Sequence, residues 1–115
     1  MTVTIYHNSR CSKSRAALAY LESQNVEFDI VTYLEGQLDA PQLQAILQTL
    51  GMSAKDVMRK GEKIYKQLGL ANEHDEAKLI KAIIANPILL ERPIVVKDNN
   101  AAIGRPLENI IQLFD

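Results

Sequence analysis

In the stretch TVTIYHNSRCSKSRAALAYL, residues 2–21, a strand-like composition changes to the apolar spacing of a helix, and this change decides the fold class. Its first five residues are β-branched or aromatic, a composition typical of a short strand. The apolar residues that follow have the spacing of one helix face. They are Ala17, Leu18, Tyr20 and Leu21. Residues 27–33 (EFDIVTY) return to strand character, so this part of the chain predicts a right-handed parallel βαβ unit.

The middle of the chain is predicted to be helical. The predicted segments cover residues 39–51, 53–59, 62–68 and 75–86. Asp39 and Asp75 are suited to cap the two longer helices, because a short carboxylate can accept hydrogen bonds from the free N–H groups of a first turn. Gly51 suits the end of the first of these helices, where a left-handed residue often closes the last turn.

Strand character returns near the C-terminus. Residues 93–97 and 101–103 flank Asp98-Asn99-Asn100, whose side chains tolerate the left-handed geometry of a hairpin turn. Pro106 favours the start of a last helix. The predicted order is βαβ, a helical insertion at about residues 39–90, then ββα. We therefore expect one α/β domain over residues 1–115, with a thioredoxin- or glutaredoxin-like fold and a mixed sheet.

Composition and charge argue against several function classes. The chain has 115 residues, and thirteen basic against fourteen acidic residues give a formal net charge of −1. This balance argues against general nucleic-acid binding, although it allows a local basic pocket. The N-terminus lacks the pattern of a signal peptide, and no apolar run approaches the ~20 residues of a membrane span. We therefore expect a soluble cytoplasmic protein that binds no membrane.

The only cysteine, Cys11, lies between the first predicted strand and the first predicted helix. A lone thiol is most often a small buried apolar residue, but this one is flanked by Arg10, Ser12 and Lys13. At a helix N-terminus, free N–H groups and nearby cations stabilise a thiolate, which is the nucleophilic form. We therefore predict a reactive Cys11 with a pKa below the free value of about 8.5. Cys11 or Ser12 is expected to cap the helix.

The same helix end is suited to bind an anion. Ser12 and Ser14 can donate hydroxyl hydrogen bonds to an oxyanion or to the cysteine sulfur, although simple capping explains Ser12 equally well. His7 can supply polar orientation or a nearby positive charge, yet a histidine at a strand end is more often an ordinary polar residue. These three side chains are supporting candidates beside Cys11.

Three of the five arginines stand at predicted element ends. They are Arg59, Arg92 and Arg105. A planar guanidinium can hold an oxyanion through two hydrogen bonds at once, which a lysine cannot do in the same way. Their spacing alone also fits three unrelated surface arginines, so it makes them candidates and no more.

Spacing excludes two familiar cysteine chemistries. A cysteine phosphatase loop needs Cys-x5-Arg, but the sixth residue after Cys11 is Ala17. A dithiol oxidoreductase needs Cys-x-x-Cys, but the second place holds Ser14. The protein is therefore expected to use a monothiol mechanism, in which a thiol from outside reduces any oxidised sulfur. No spacing of Cys, His and carboxylates indicates a metal site, so we expect neither a metal nor a bound cofactor.

Several separated motifs in one order resemble the glutaredoxin-linked arsenate reductase (ArsC) family. The motifs are YHNSRCSKSR at residues 6–15, YLE at 33–35, VMRK at 57–60, YKQLGLA at 65–71, NPILLERPIVV at 86–96 and IGRP at 103–106. Together they extend over nearly the whole chain. Ser9 departs from the pattern, because family members commonly carry proline there.

The resemblance implies a role for each candidate residue. The cysteine matching Cys11 is the nucleophile, and the arginines matching Arg59, Arg92 and Arg105 bind the oxyanion. The residues matching His7 and Ser14 tune or contact the thiolate. The resemblance also implies a cis peptide bond at Arg92-Pro93.

The implied activity is the reduction of arsenate to arsenite through a covalent Cys11 thiol-arsenate. Glutathione is the implied co-substrate, and glutaredoxin the partner that restores the thiol. Two alternatives stay open from the sequence. One is a thiol oxidoreductase of the same family that acts on another substrate. The other is a regulator that resembles the Spx-type transcription factors and binds RNA polymerase, although those proteins typically carry the Cys-x-x-Cys that Ser14 interrupts here.

Overall fold

Four strands form one mixed sheet in the order β2-β1-β3-β4. The structure is a computed structural model that describes residues 2–115. The strands are β1 (Val3–Tyr6), β2 (Asp29–Val31), β3 (Ile94–Lys97) and β4 (Asn100–Ile103). Helix α1 (Ser12–Ser23) connects β1 to β2, which run parallel. Strand β3 pairs antiparallel with both β1 and β4. The predicted thioredoxin-like fold class with a mixed sheet is confirmed.

The residue contacts divide the chain into two units. The sheet unit is formed by the chain up to Gln37 together with Arg92–Asp115, and the helical unit is Leu38–Glu91. The sheet unit holds the four strands, α1 and the short helix α5 (Glu108–Ile111). The helical unit holds α2 (Ala40–Leu50), α3 (Lys63–Gln67) and α4 (Glu76–Ala85). The insertion predicted at about residues 39–90 falls inside this second unit.

The core of the sheet unit follows from two periodicities. Val3 and Ile5 alternate along β1 and are buried, while Ala17 and Leu21 are four residues apart on α1 and are also buried. Val95 of β3 and Ile110 of α5 complete this cluster. Burying each large aliphatic side chain contributes about 1.5–3 kcal/mol. The packing therefore fixes the end of β1 against the start of α1, where Cys11 lies.

Gly104 keeps two segments of the sheet unit close together. A Cβ atom added there would meet the side chain of Ile110 and would lie 2.8 Å from Pro93 Cγ. The Gly104 N–H also donates to the Pro93 carbonyl at 2.8 Å. A larger residue would push Pro93 away, so glycine is required for this close backbone approach. The segments that carry Arg92 and Arg105 are thereby joined.

The predicted caps of the helical unit are confirmed. Asp39 Oδ1 accepts from the Gln42 N–H at 2.8 Å, and Gln42 Oε1 accepts from the Asp39 N–H at 2.9 Å, which forms a capping box. Asp75 accepts from the N–H groups of the first turn of α4. Gly51 ends α2 with φ at 68°, a left-handed conformation that favours glycine.

Two predicted elements are shorter than expected, and the last helix changes type at its end. Strand β2 covers Asp29–Val31 rather than residues 27–33, because it is an edge strand and the chain turns into a 3₁₀ helix at Tyr33–Glu35. The helix predicted at 53–59 is a 3₁₀ turn, Lys55–Val57. The last helix begins after Pro106 and ends in a 3₁₀ turn, Gln112–Phe114. Among residues 2–115, no helix is long and apolar enough to cross a bilayer.

Candidate active site

The loop between β1 and α1 places Cys11 at the N-cap position of α1. The Cys11 N–H donates to the Asn8 carbonyl at 3.0 Å, and the Arg10 N–H donates to Asn8 Oδ1, also at 3.0 Å. Arg15 Nη1 donates to the Ser9 carbonyl at 2.9 Å. These bonds hold the loop from both sides. Asn8 and Arg15 were not among the predicted site residues. An asparagine whose side-chain oxygen can accept from the backbone N–H two residues later is, however, a recognisable turn signal.

The Cys11 thiol is buried, with 8% of the residue exposed, and it is free of any disulfide. Burial raises the pKa of Cys11, but the backbone N–H groups of Ser14 and Lys13 and the Arg92 guanidinium outweigh that effect and hold the pKa below its ordinary value. The thiol makes no conventional capping hydrogen bond, so these N–H groups act on the sulfur as the positive end of the helix. The predicted direction of the pKa is confirmed.

The groups that lower the pKa of Cys11 differ in part from those that the sequence suggested. The sequence suggested the flanking side chains of Arg10 and Lys13, whereas the stabilising groups are the backbone N–H groups of Ser14 and Lys13 and the distant Arg92. Arg10 is exposed. The cap position falls on Cys11 rather than on Ser12, which is exposed at the first position of α1. Sequence neighbours of a cysteine are therefore a weak guide to which cation reaches its sulfur.

His7 and Ser14 form a buried polar pair beside the cysteine loop. His7 Nδ1 lies 2.7 Å from Ser14 Oγ, and the Ser14 hydroxyl also accepts from the Asn8 N–H at 3.0 Å. Burial lowers the pKa of His7, and the positive charge of Arg15 lowers it further. His7 is therefore held neutral at pH 7, which makes it a hydrogen-bonding partner of Ser14 rather than a second cation.

Arg92 carries two buried nitrogen atoms without a protein partner. Its Nε and Nη1 have no hydrogen-bond partner among residues 2–115, while its guanidinium is close enough to Cys11 to favour the thiolate. Buried polar groups are normally hydrogen-bonded, and a buried cation normally faces an anion. The Arg92–Pro93 peptide bond is cis, as the resemblance implied.

The other two predicted arginines have different surroundings. Arg105 is exposed after β4, and the Arg105–Pro106 bond is also cis, which the sequence did not predict. Arg59 belongs to the helical unit, where it forms ion pairs with Glu62 and Glu91. The structure thus brings Arg92, His7 and Ser14 together around Cys11 within the sheet unit. No group of three or more metal-binding side chains is found within residues 2–115.

Comparison with known proteins identifies the family. A family model described as the ArsC family matches residues 6–113. The chain belongs to the ArsC family. It is 48% identical over 110 residues to a protein named arsenate reductase from Neisseria meningitidis, covering 94% of both chains. It is 49% identical over 113 residues to the uncharacterized protein YfgD of Escherichia coli, covering 96% of this chain and 95% of that protein.

Solved structures agree with this assignment. A putative arsenate reductase from Yersinia pestis matches with a TM-score of 0.90 and 45% identity, over 96% of this chain and 98% of that one. An arsenate reductase from Vibrio cholerae matches with a TM-score of 0.92 and 39% identity, over 97% of each chain. Membership of the ArsC family confirms the resemblance that the motifs indicated.

Proposed function

We propose that this ArsC-family protein reduces arsenate to arsenite at Cys11. The observation that carries the proposal is Arg92, whose two buried unpartnered nitrogens lie beside a thiol of lowered pKa. A cation with unused donors next to a nucleophile at a helix N-terminus suits an oxyanion that the nucleophile attacks. The relatives from Neisseria meningitidis and Vibrio cholerae, both named arsenate reductase, support arsenate as that oxyanion.

The first chemical step is attack of the Cys11 thiolate on arsenic. A sulfur–arsenic bond forms, and one arsenate oxygen leaves as hydroxide or water, so a covalent thiol-arsenate results. Arg92 counters the charge of the anion, which would otherwise repel the thiolate. Arg59 and Arg105 are assigned to the same oxyanion on the family resemblance. The Ser14 backbone N–H stabilises the thiolate, and the Ser14 hydroxyl oxygen lies 2.7 Å from His7 Nδ1.

The second step transfers two electrons to arsenic. The glutathione thiolate attacks the Cys11 sulfur and forms a mixed disulfide, while the electron pair of the sulfur–arsenic bond stays with arsenic. Arsenic is reduced from the +5 to the +3 state and leaves as arsenite, and the two thiols are oxidised to one disulfide. Glutaredoxin then restores the Cys11 thiol by thiol–disulfide exchange. An external thiol is needed because Cys11 is the only cysteine.

A coupled assay tests this proposal. Purified protein, glutathione, glutaredoxin, glutathione reductase and NADPH are mixed, and NADPH oxidation is followed with and without arsenate. We expect oxidation that requires arsenate and each protein component. Glutathione-dependent reduction of another substrate without arsenate turnover would favour the alternative thiol oxidoreductase. The regulator alternative is not favoured, because Ser14 holds the place of the second cysteine and named relatives are arsenate reductases.

A further inference from the structure

A cleft of about 280 Å³, called here the loop cleft, lies beside the cysteine loop. Two segments of the sheet unit line it, and their lining residues are Asn8, Ser9 and Arg10 on one wall and Thr32, Leu34 and Glu35 on the other. The segments follow the parallel strands β1 and β2, which end side by side at Tyr6 and Val31. Ligand sites of α/β sheets usually lie outside the carboxyl ends of such strands. The loop cleft therefore has the position of a binding site.

Cys11 belongs to the same turn as the first wall of the loop cleft. The Cys11 N–H donates to the Asn8 carbonyl at 3.0 Å, which closes a β-turn over residues 8–11. Arg10 directly precedes Cys11, so their Cα atoms are about 3.8 Å apart. A tripeptide extends over roughly 10 Å. A short peptide bound in the loop cleft can therefore bring a thiol of its own to Cys11.

Hydrogen bonds fix both walls of the loop cleft before any ligand binds. On one side, the Arg10 N–H donates to Asn8 Oδ1 at 3.0 Å. On the other, the Thr32 N–H donates to Gln37 Oε1 at 3.2 Å, and the Glu35 N–H donates to the Thr32 carbonyl at 2.9 Å. Because the walls are preformed, a ligand does not have to order them, which removes an entropy cost of binding.

The lining of the loop cleft carries one cation, one anion and one large apolar side chain. Arg10 and Glu35 are both exposed, and neither forms an ion pair with another residue in the described range 2–115. Leu34, on the same wall as Glu35, is 40% exposed. A molecule with a carboxylate, an ammonium group and an apolar stem complements this set. A simple oxyanion does not, because Glu35 would repel it.

We propose that the loop cleft binds the external thiol as a zwitterionic peptide such as glutathione, an inference that rests on the proposed function. Arg10 donates to a carboxylate of the peptide, and Glu35 accepts from its ammonium group. Cys11 is the only cysteine and is 8% exposed, so the incoming thiol must approach its sulfur in a defined orientation. The thiolate held in this way attacks the Cys11 sulfur of the thiol-arsenate. A disulfide forms as the sulfur–arsenic bond breaks, and the electron pair of that bond stays with arsenic.

The test follows disulfide exchange at Cys11 without arsenate. The Cys11 thiolate attacks oxidised glutathione, a mixed disulfide forms and one glutathione thiolate leaves, and mass spectrometry gives the rate at fixed pH and ionic strength. The uncharged 2-hydroxyethyl disulfide is the reference, because it reports the reactivity of Cys11 without a charge to recognise. We expect Arg10→Gln and Glu35→Gln each to lower the rate with oxidised glutathione about threefold, the size of one exposed ion pair. The reference rate should stay unchanged in both variants.

The Glu35→Gln variant distinguishes recognition from general electrostatic attraction. Oxidised glutathione is anionic at pH 7, so loss of a negative charge speeds the exchange if net charge alone decides the rate, whereas loss of the ammonium partner slows it. The control Glu22→Gln removes the same charge from an exposed position on α1 outside the loop cleft and should not slow it. A rate with oxidised glutathione that fails to fall in either cleft variant would overturn the proposal, as would an equal fall in the reference rate or in Glu22→Gln. The exchange involves no arsenic, so a failed arsenate assay would count against the proposed function alone.

Discussion

Two arginines of this protein differ in how far the surrounding protein compensates their positive charge. Arg92, in the sheet unit, has two buried nitrogens without a hydrogen-bond partner among residues 2–115 and faces a thiol that it helps to ionise. Arg59, in the helical unit, is held by Glu62 and Glu91. The first arrangement leaves a cation under-compensated, which is unfavourable for folding unless an anion joins it. The second is compensated before any ligand arrives.

Two arginines can therefore contribute very different amounts to the free energy of oxyanion binding, although the residue type is the same. An anion that meets Arg92 satisfies donors that the fold leaves unused. An anion that meets Arg59 must exchange with carboxylates, so its net gain is smaller. We therefore expect the two arginines to contribute unequally, although the family resemblance assigns both to the oxyanion.

The largest expected effect comes from replacing Cys11, the nucleophile of the proposed reaction. Cys11→Ser should abolish arsenate-dependent NADPH oxidation, because a hydroxyl is a far weaker nucleophile than a thiolate at neutral pH. Its circular dichroism spectrum and melting temperature should stay close to those of the parent. Substantial residual arsenate reduction in a correctly folded variant would show that neither arginine serves a reaction at Cys11.

The next effect separates the two arginines directly. Arg92→Lys should lower kcat/KM for arsenate by about 10- to 100-fold, since a charge-assisted hydrogen-bonding fork is lost. Arg59→Lys should lower it only about two- to fivefold, because its fork is already engaged by carboxylates. Equal losses of kcat/KM at positions 59 and 92 would contradict the expected difference between the two arginines.

How much of this could be read from the sequence depends on the range of each interaction. The caps at Asp39 and Asp75 were predicted because a cap is decided within four residues. The βαβ unit was predicted because its apolar periodicity changes within the opening stretch. Strand β2 was predicted too long, since its length is set by having a neighbour on one side only, which the segment's own composition does not encode.

The candidate site residues were proposed from their chemistry and the family motifs, whereas several of their side-chain contacts could not be predicted. Cys11 was identified by its position between a strand and a helix, and the arginines by their placement and the family motifs. The pairing of Arg59 with Glu91 joins residues 32 positions apart in the chain, and no local pattern marks it. The role of Arg15 in holding Ser9 was missed for a different reason, because a basic residue on an exposed helix turn looks like ordinary surface.

A smaller effect concerns the thiol alone. The pKa of Cys11 is lowered in the folded protein, and Arg92 is one cause whereas Arg59 is not among the causes. Iodoacetamide labelling against pH should therefore give a midpoint below the ordinary thiol value. Arg92→Gln should raise that midpoint and Arg59→Gln should leave it unchanged, while added sulfate should slow labelling through shielding and like-charge repulsion. A parent midpoint at or above the ordinary value would contradict an activated thiolate, and equal shifts in both variants would contradict the difference between the arginines.

The smallest effect tests whether the polar pair on the Arg92 side is buried in the neutral form. The pKa of His7 is lowered from 6.5 on folding, first by burial and then by Arg15. Below pH 6.5 the unfolded chain binds this proton more readily than the folded one, so the stability from His7 is complete above that pH. It is lost as the pH falls towards the folded value, with a slope of at most about 1.4 kcal/mol per pH unit.

Urea unfolding of the parent and of His7→Asn between pH 7 and 5 measures this, since asparagine can keep a bond to Ser14 without titrating. The parent should lose stability faster than His7→Asn, whereas His74→Asn, at an exposed histidine, should follow the parent. Parallel curves for the parent and His7→Asn would mean that His7 can be protonated in place, and the sheet unit would then hold a second cation beside the thiol.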